Sequence, residues 1–210
     1  MLRAVALLAF TLIAGCSTAP SGMSHVTFSE GPLVDTGTQQ AIGSGVQWTT
    51  DYALTAANVY IGQRSEGMIY LCQDCNLKFV PKRSGGAVPK WREPEPHETL
   101  YLVGSAPGQG EDDSQAAINR VAKGRDTFTQ TKIEGAGDQW VNLAAFDALG
   151  GLSSGPVYGS DGKAVGYLTG FVELDVDGAL ERRAVYVPYS LIKAHWNSFN
   201  GRPETTPVVH

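Results

Sequence analysis

Three cysteines, four histidines and a glycine-boxed serine are the residues of this 210-residue chain best suited to chemistry. Cys72 and Cys75 are spaced C-x-x-C. In an oxidising compartment such a pair closes a small disulfide loop. A redox motif would set the pair at a helix start beside a βαβ pattern, whereas this one lies in a strand-like stretch. A structural zinc site would need two more ligands at recognisable spacing, and none follow. A structural disulfide or a pair of inert buried thiols is therefore the leading reading, ahead of a labile disulfide and of metal or redox chemistry. His25, His97, His195 and His210 are scattered along the chain, and each reads as a solvated or capping residue. Glu173, Asp175 and Asp177 alternate, which sets them on one face of a strand or hairpin. A solvated face is the plain reading, a Ca²⁺ or basic-peptide site the sharper one. Ser153 stands in Gly151-Leu152-Ser153-Ser154-Gly155-Pro156. Taken alone that box is a Gly/Ser turn, because a serine hydroxyl becomes a useful nucleophile only beside a base.

Residues 1–15 read as an address rather than as part of the fold. Arg3 gives a short positive start, Ala4 to Ile13 an apolar run, and Ala14-Gly15 a small-residue exit before Cys16. The run is too short to span a bilayer and is flanked like a signal peptide. Leu12-Ile13-Ala14-Gly15-Cys16 resembles the bacterial lipobox. The resemblance implies a diacylated Cys16 at the mature N-terminus, with Ser17 directing the chain to the outer membrane; an ordinary signal peptide with Cys16 as a bystander is the alternative. Each buried CH₂ of an acyl chain contributes about 0.8 kcal/mol, so several chains anchor firmly. The chain carries a formal net charge of −5 and no Lys/Arg run, which argues against nucleic acid and against polybasic lipid binding. Neither a cofactor nor a metal is expected.

The elements that must position these residues are mostly strands. Residues 16–26 read as the lipidated cysteine and a flexible tether, 27–200 as the folded domain and 201–210 as a tail. Short apolar or alternating runs recur at Ala41 to Trp48, Tyr52 to Thr55, Met68 to Cys72, Leu77 to Val80, Leu100 to Val103, Thr127 to Ile133, Val157-Tyr158, Ala164 to Leu168 and Ala184 to Val187. Glycine clusters separate many of them, a rhythm that predicts an all-β sandwich or barrel. One helix is expected, over Tyr189 to Phe199, with Leu191, Ile192, His195 and Trp196 at helical spacing. Ser84 to Glu98 is rich in Pro, Gly and charge and suits a linker between two barrels, and residues 104–117 read as a surface loop.

Gly43-Ser44-Gly45-Val46 and Leu54-Thr55-Ala56-Ala57-Asn58-Val59 resemble the "GSGV … LTAAHV" stretch of the trypsin/chymotrypsin serine protease family. Gly151 to Val157 resembles that family's "GDSGGPV" loop, and Asp161-Gly162-Lys163-Ala164-Val165-Gly166 the hairpin that follows it in bacterial members. The resemblance covers about residues 40–190. It implies two packed antiparallel β-barrels with the site between them and a short C-terminal helix. It also implies Ser153 at the nucleophile position, with the Gly151 and Ser153 N–H groups lining the oxyanion hole. Asn58 then takes the histidine position, and an asparagine amide neither accepts a proton at neutral pH nor returns one. General-base assistance is worth roughly 10²–10⁴-fold. The aspartate position falls on Asn76 (in Asn76-Leu77-Lys78-Phe79-Val80) or, in a second frame, on Asp74. Leu152 and Ser154 depart from the family's loop, and a side chain at 154 would strain the turn if that residue needs an unusual backbone angle. Leu168-Thr169-Gly170 resembles the "S-x-G" strand that pairs with substrate backbone.

These readings converge on a membrane-anchored, catalytically degenerate trypsin-like domain in the cell envelope, facing the periplasm and binding an envelope protein or peptide. The alternative is an active serine endopeptidase in which Ser153 uses a non-standard base, His97 being the histidine to check. A purely structural lipoprotein is the third reading.

Overall fold

A computed structural model describes residues 23–24, 26–29, 42–57, 70–72, 75–81, 87–106, 118–132, 140–146 and 154–200. Cys16, Asn58, Asp74, Gly151 and Ser153 lie outside the described residues, as does the side chain of Cys72. The first strands are β1 (Val26–Ser29), β2 (Ile42–Gln47), β3 (Tyr52–Ala56), β4 (Tyr70–Cys72) and β5 (Leu77–Pro81). They form a five-stranded antiparallel sheet in the order β1-β2-β3-β5-β4. The tight β2–β3 corner is a Thr-Thr-Asp turn, in which Thr49 Oγ1 accepts from the Tyr52 N–H at 3.1 Å while the Trp48 and Thr49 N–H groups donate to the Tyr52 carbonyl. Such a hydroxyl satisfies a turn's backbone donors locally.

The second unit is a closed six-stranded barrel in the order β10-β11-β8-β7-β6-β9. Its strands are β6 (Thr99–Ala106), β7 (Ile118–Lys132), β8 (Trp140–Phe146), β9 (Gly155–Gly159), β10 (Ala164–Val176) and β11 (Ala179–Pro188). Asp177 and Gly178, with φ of 54° and 83°, join Val176 to Ala179. Two positive φ angles in a two-residue loop match the right-handed twist of the strands it connects, which is why Asp-Gly suits it. Ring closure leaves the barrel without a free edge over its paired length, and Leu100, Leu102, Val157, Val165 and Leu168 fill its interior.

A second, larger core lies between the units. Leu54, Leu77, Phe79 and Val80 of the sheet pack with Val141, Leu143, Tyr167, Val185 and Val187 of the barrel and with Ile192 of helix α1 (Tyr189–Asn200). The helix docks through aromatic rings: Trp196 lies 5.0 Å from Phe79 and 5.2 Å from Tyr52, centroid to centroid. The 87–98 segment runs between the units, as its composition suggests. Trp91 bridges to Ala164, and Arg92 forks onto Glu98 (2.6 Å) and Asp161 (3.0 Å), tying the segment to the β9–β10 turn.

Several stretches differ from the sequence expectation, among them the following. β6 runs on to Ala106 and β7 begins at Ile118, so residues 104–106 are strand rather than loop. β8 carries no run that the periodicity flagged, although four of its residues are buried. Met23 and Ser24, within the stretch read as a tether, are held in place: Met23 packs beside Tyr158, and Ser24 exchanges hydrogen bonds with the Tyr158 hydroxyl.

Candidate functional site

Sheet and barrel meet where three chain segments converge. β3 ends at Ala56, and the Ala57 N–H donates to the Asn76 carbonyl at 3.0 Å, so the end of this segment lies beside the head of β5. Asn76 itself has φ of 51°. Asn tolerates this left-handed conformation better than most residues that carry a side chain. Its Nδ2 reaches across to the barrel and donates to the Thr169 carbonyl at 2.9 Å. The Asn76 side chain thus faces this junction; the alternative frame, on Asp74, falls outside the described residues.

Thr169 presents that carbonyl because β10 slips register there. Leu168 pairs with Tyr186 and Gly170 with Val185, leaving Thr169 out of the ladder, a β-bulge of the kind that re-aims backbone groups. On its other side β10 pairs with β9 only as far as Leu168 and Gly155. Beyond Leu168 that edge has no strand partner among the described residues.

The third segment enters through Ser154 and Gly155. Ser154 is buried and takes no positive φ, so the anticipated strain at this substitution is not present. The demand for glycine falls one residue later, since a Cβ on Gly155 would sit 2.3 Å from the Val103 carbonyl oxygen. Beneath this entry, Tyr167 crosses from barrel to sheet. Its hydroxyl donates to the Ser44 carbonyl at 2.6 Å, and Thr55 Oγ1 donates to the same oxygen at 2.7 Å. Burial pushes the Tyr167 phenol up to about 12, against the opposing effect of the nearby Thr55 and Ser154 side chains and the Ala56 backbone.

Lys78 was not singled out by its sequence context. It pairs directly with Thr55, so the two side chains share a face of the sheet, and its Nζ donates to the Ala57 carbonyl at 3.2 Å. With 8 % of its surface exposed, it is a buried amine beside the end of β3. A lysine so placed either fixes the backbone as a cation or, when neutral, accepts a proton.

A second polar cluster was also missed. Inside the barrel the Tyr186 hydroxyl donates to Asp126 Oδ1 at 2.7 Å and accepts from Asn142 Nδ2 at 3.2 Å, while the His97 N–H donates to Asp126 Oδ2. Burial, and then the Asp126 charge, push the Tyr186 phenol well above its ordinary value. These residues lie on separate strands, and no local pattern links them. His97 is exposed and its backbone is tied to Asp126 and Arg125, while His195 lies on α1. His25 and His210 lie outside the described residues. Asp175 and Asp177 serve the hairpin turn, Asp175 Oδ1 accepting from the Gly178 N–H at 2.8 Å. Among the described residues, no cluster of His, Cys, Asp and Glu is arranged to hold a metal ion. Cys75 is disulfide-bonded, which agrees with the structural-disulfide reading of the C-x-x-C spacing.

No protein-family model matches the sequence, and no curated protein matches it. Solved structures do. One is the HtrA-type protease AlgW with a decapeptide, at a TM-score of 0.53 and 14 % identity, the alignment covering 85 % of this chain and 63 % of that one. At that identity the likeness speaks to fold alone, and this chain spans less than two thirds of its neighbour. Two antiparallel β units, a site-bearing junction between them and one closing helix give this chain the chymotrypsin-like fold of trypsin-like serine proteases.

Proposed function

We propose that this chain is an envelope-anchored homologue of the trypsin-like proteases that binds a protein or peptide at the junction of its two units and does not cleave it. One observation carries the reading: Asn76 heads β5 beside the end of β3, and its side chain is an amide that donates to the Thr169 carbonyl. A group engaged as a donor has no charge with which to orient a base. Asn58, at the histidine position that the family resemblance assigns, is an amide too. The β10 edge past Leu168 supports peptide binding, since an extended ligand can add to an unpaired strand edge through its backbone. AlgW with its decapeptide is a neighbour of the same fold. Acylated Cys16 supplies the anchor, at the outer membrane facing the periplasm.

A fluorophosphonate probe tests the reading. The wild type is expected to stay unlabelled at neutral pH, and casein to be cleaved no faster by it than by Ser153→Ala. Rapid labelling of Ser153 overturns the proposal. Asn58→His separates two histories, because labelling gained on that change means that only the base was lost.

Lys78 supports a second reading, an active endopeptidase. Its neutral amine would take the Ser153 hydroxyl proton during attack on a peptide carbonyl and return it to the departing amine. Peptide cleavage that rises with pH and is abolished by both Lys78→Met and Ser153→Ala would establish this route. Cleavage unaffected by Lys78→Met would end it.

A further inference from the structure

We infer that the Asn76 carboxamide is a brace locking sheet to barrel across the cleft, a role that the carboxylate expected at this position cannot fill. Three observations meet at this residue. Its backbone is fixed by the Ala57 N–H at 3.0 Å in a left-handed conformation, φ 51°. Its Nδ2 bonds a carbonyl 93 residues away, on the other unit. That carbonyl belongs to Thr169, which the β10 slip leaves out of the β11 ladder, so the barrel presents an acceptor where the sheet presents a donor.

The acceptor decides the chemistry. A carbonyl oxygen can be satisfied only by a donor, and an ionised carboxylate has none. Asn76→Asp therefore sets two acceptors face to face in a half-buried site. Protonation of the introduced carboxyl restores an O–H that can donate. Its pKa in the folded protein is consequently raised above its unfolded value, so the stability it contributes is present at low pH and lost as pH rises through the folded pKa. The asparagine that heads β5 therefore has a structural role of its own. The inference stands whether or not the cleft binds a peptide.

Thermal melts of wild type, Asn76→Asp and Asn76→Gly between about pH 4 and pH 7 test it. Asn76→Gly keeps access to the left-handed backbone and removes the carboxamide; its backbone effects do not change with pH, so the comparison with Asn76→Asp across pH isolates the brace. It is expected to melt about 2–5 °C below wild type at both pH values. Asn76→Asp is expected to melt about 2–5 °C lower still near pH 7, and to recover to or above the glycine variant near pH 4. An aspartate variant as stable as wild type near pH 7, or one whose deficit against the glycine variant does not change with pH, overturns the brace. If the aspartate variant does not fold near pH 7, recovery of folded protein on acidification supports the proposal. Failure to fold at both pH values, or a glycine variant that melts with or above wild type, refutes it.

Discussion

Removing the Tyr167 hydroxyl takes from the Ser44 carbonyl one of the two hydroxyl donors that converge on it, at 2.6 Å and 2.7 Å. The oxygen belongs to β2, one donor to β3 of the same sheet and the other to β10 of the barrel, so this pair of bonds is a direct tie between the units. Ser44 is 3 % exposed, which leaves water little room to replace a lost donor. A typical buried hydrogen bond contributes about 1 kcal/mol net, whereas stripping a buried acceptor of its partners costs about 1–3 kcal/mol. Tyr167→Phe alone leaves the Thr55 hydroxyl in place and should cost about 1 kcal/mol; Thr55→Val alone should cost a similar amount. The double variant removes both hydroxyl donors and should cost about 1 kcal/mol more than the sum. For a chain of this size that coupling corresponds to an extra 2–4 °C, roughly, in melting temperature. Urea denaturation of the four proteins, followed by near-ultraviolet circular dichroism and tryptophan fluorescence, measures it. Additivity within about 0.3 kcal/mol would refute the shared-acceptor argument, since it would mean that the two hydroxyls act independently.

Alkaline pH probes the same tyrosine. The phenol titrates near 10 in an unfolded chain and is pushed up to about 12 in the fold. Folding stability is therefore unaffected by this group below about pH 10 and falls progressively as pH rises toward about 12. Absorbance at about 295 nm and parallel melts should show that this loss is smaller in Tyr167→Phe; an unchanged alkaline profile would contradict it. Arg92→Met tests the clamp on the inter-unit segment. Arg92 holds the Asp161 carboxyl well below its ordinary value, so the ion pair contributes above about pH 4 and fades as pH falls. Because Asp161 is largely solvated, the expected loss is only about 1–2 kcal/mol including the shorter bond to Glu98, and the gap to wild type should narrow in acid and in 1 M salt, where the Debye length falls to about 3 Å from about 8 Å at physiological strength. A gap indifferent to both would point to lost packing of the arginine stem.

Much of the architecture was legible because strand periodicity and turn chemistry are local. Ala41 to Trp48, Tyr52 to Thr55 and Leu77 to Val80 alternate or run apolar as strands do, and they match β2, β3 and β5. The Asp161-Gly162 turn and the helix bearing Ile192 and Trp196 follow from spacing alone. β8 escaped notice because Trp140 to Phe146 mixes an exposed tryptophan, a buried asparagine and small alanines, a pattern no single period describes. The far half of β10 was legible only as the solvated strand face or hairpin of Glu173, Asp175 and Asp177, and the first half of β11 escaped. That hairpin leaves the barrel and becomes solvated, so its sequence is polar where a core strand would be apolar.

By itself the sequence determined the residue types at the positions that the family resemblance singles out: an amide at 58, an amide at 76 (or, in the second frame, a carboxylate at 74) and a serine at 153. Those identities limit proton transfer whatever the fold, because ionisation is a property of the side chain. Tertiary structure alone decided what Asn76 touches, that Lys78 lies buried beside Ala57, and that Asp126, Tyr186 and Asn142 meet within the barrel. Hydrogen bonds between strands far apart in the chain depend on how sheet and barrel pack. Register slips such as the one at Thr169 set that packing at distances over which no local pattern carries information.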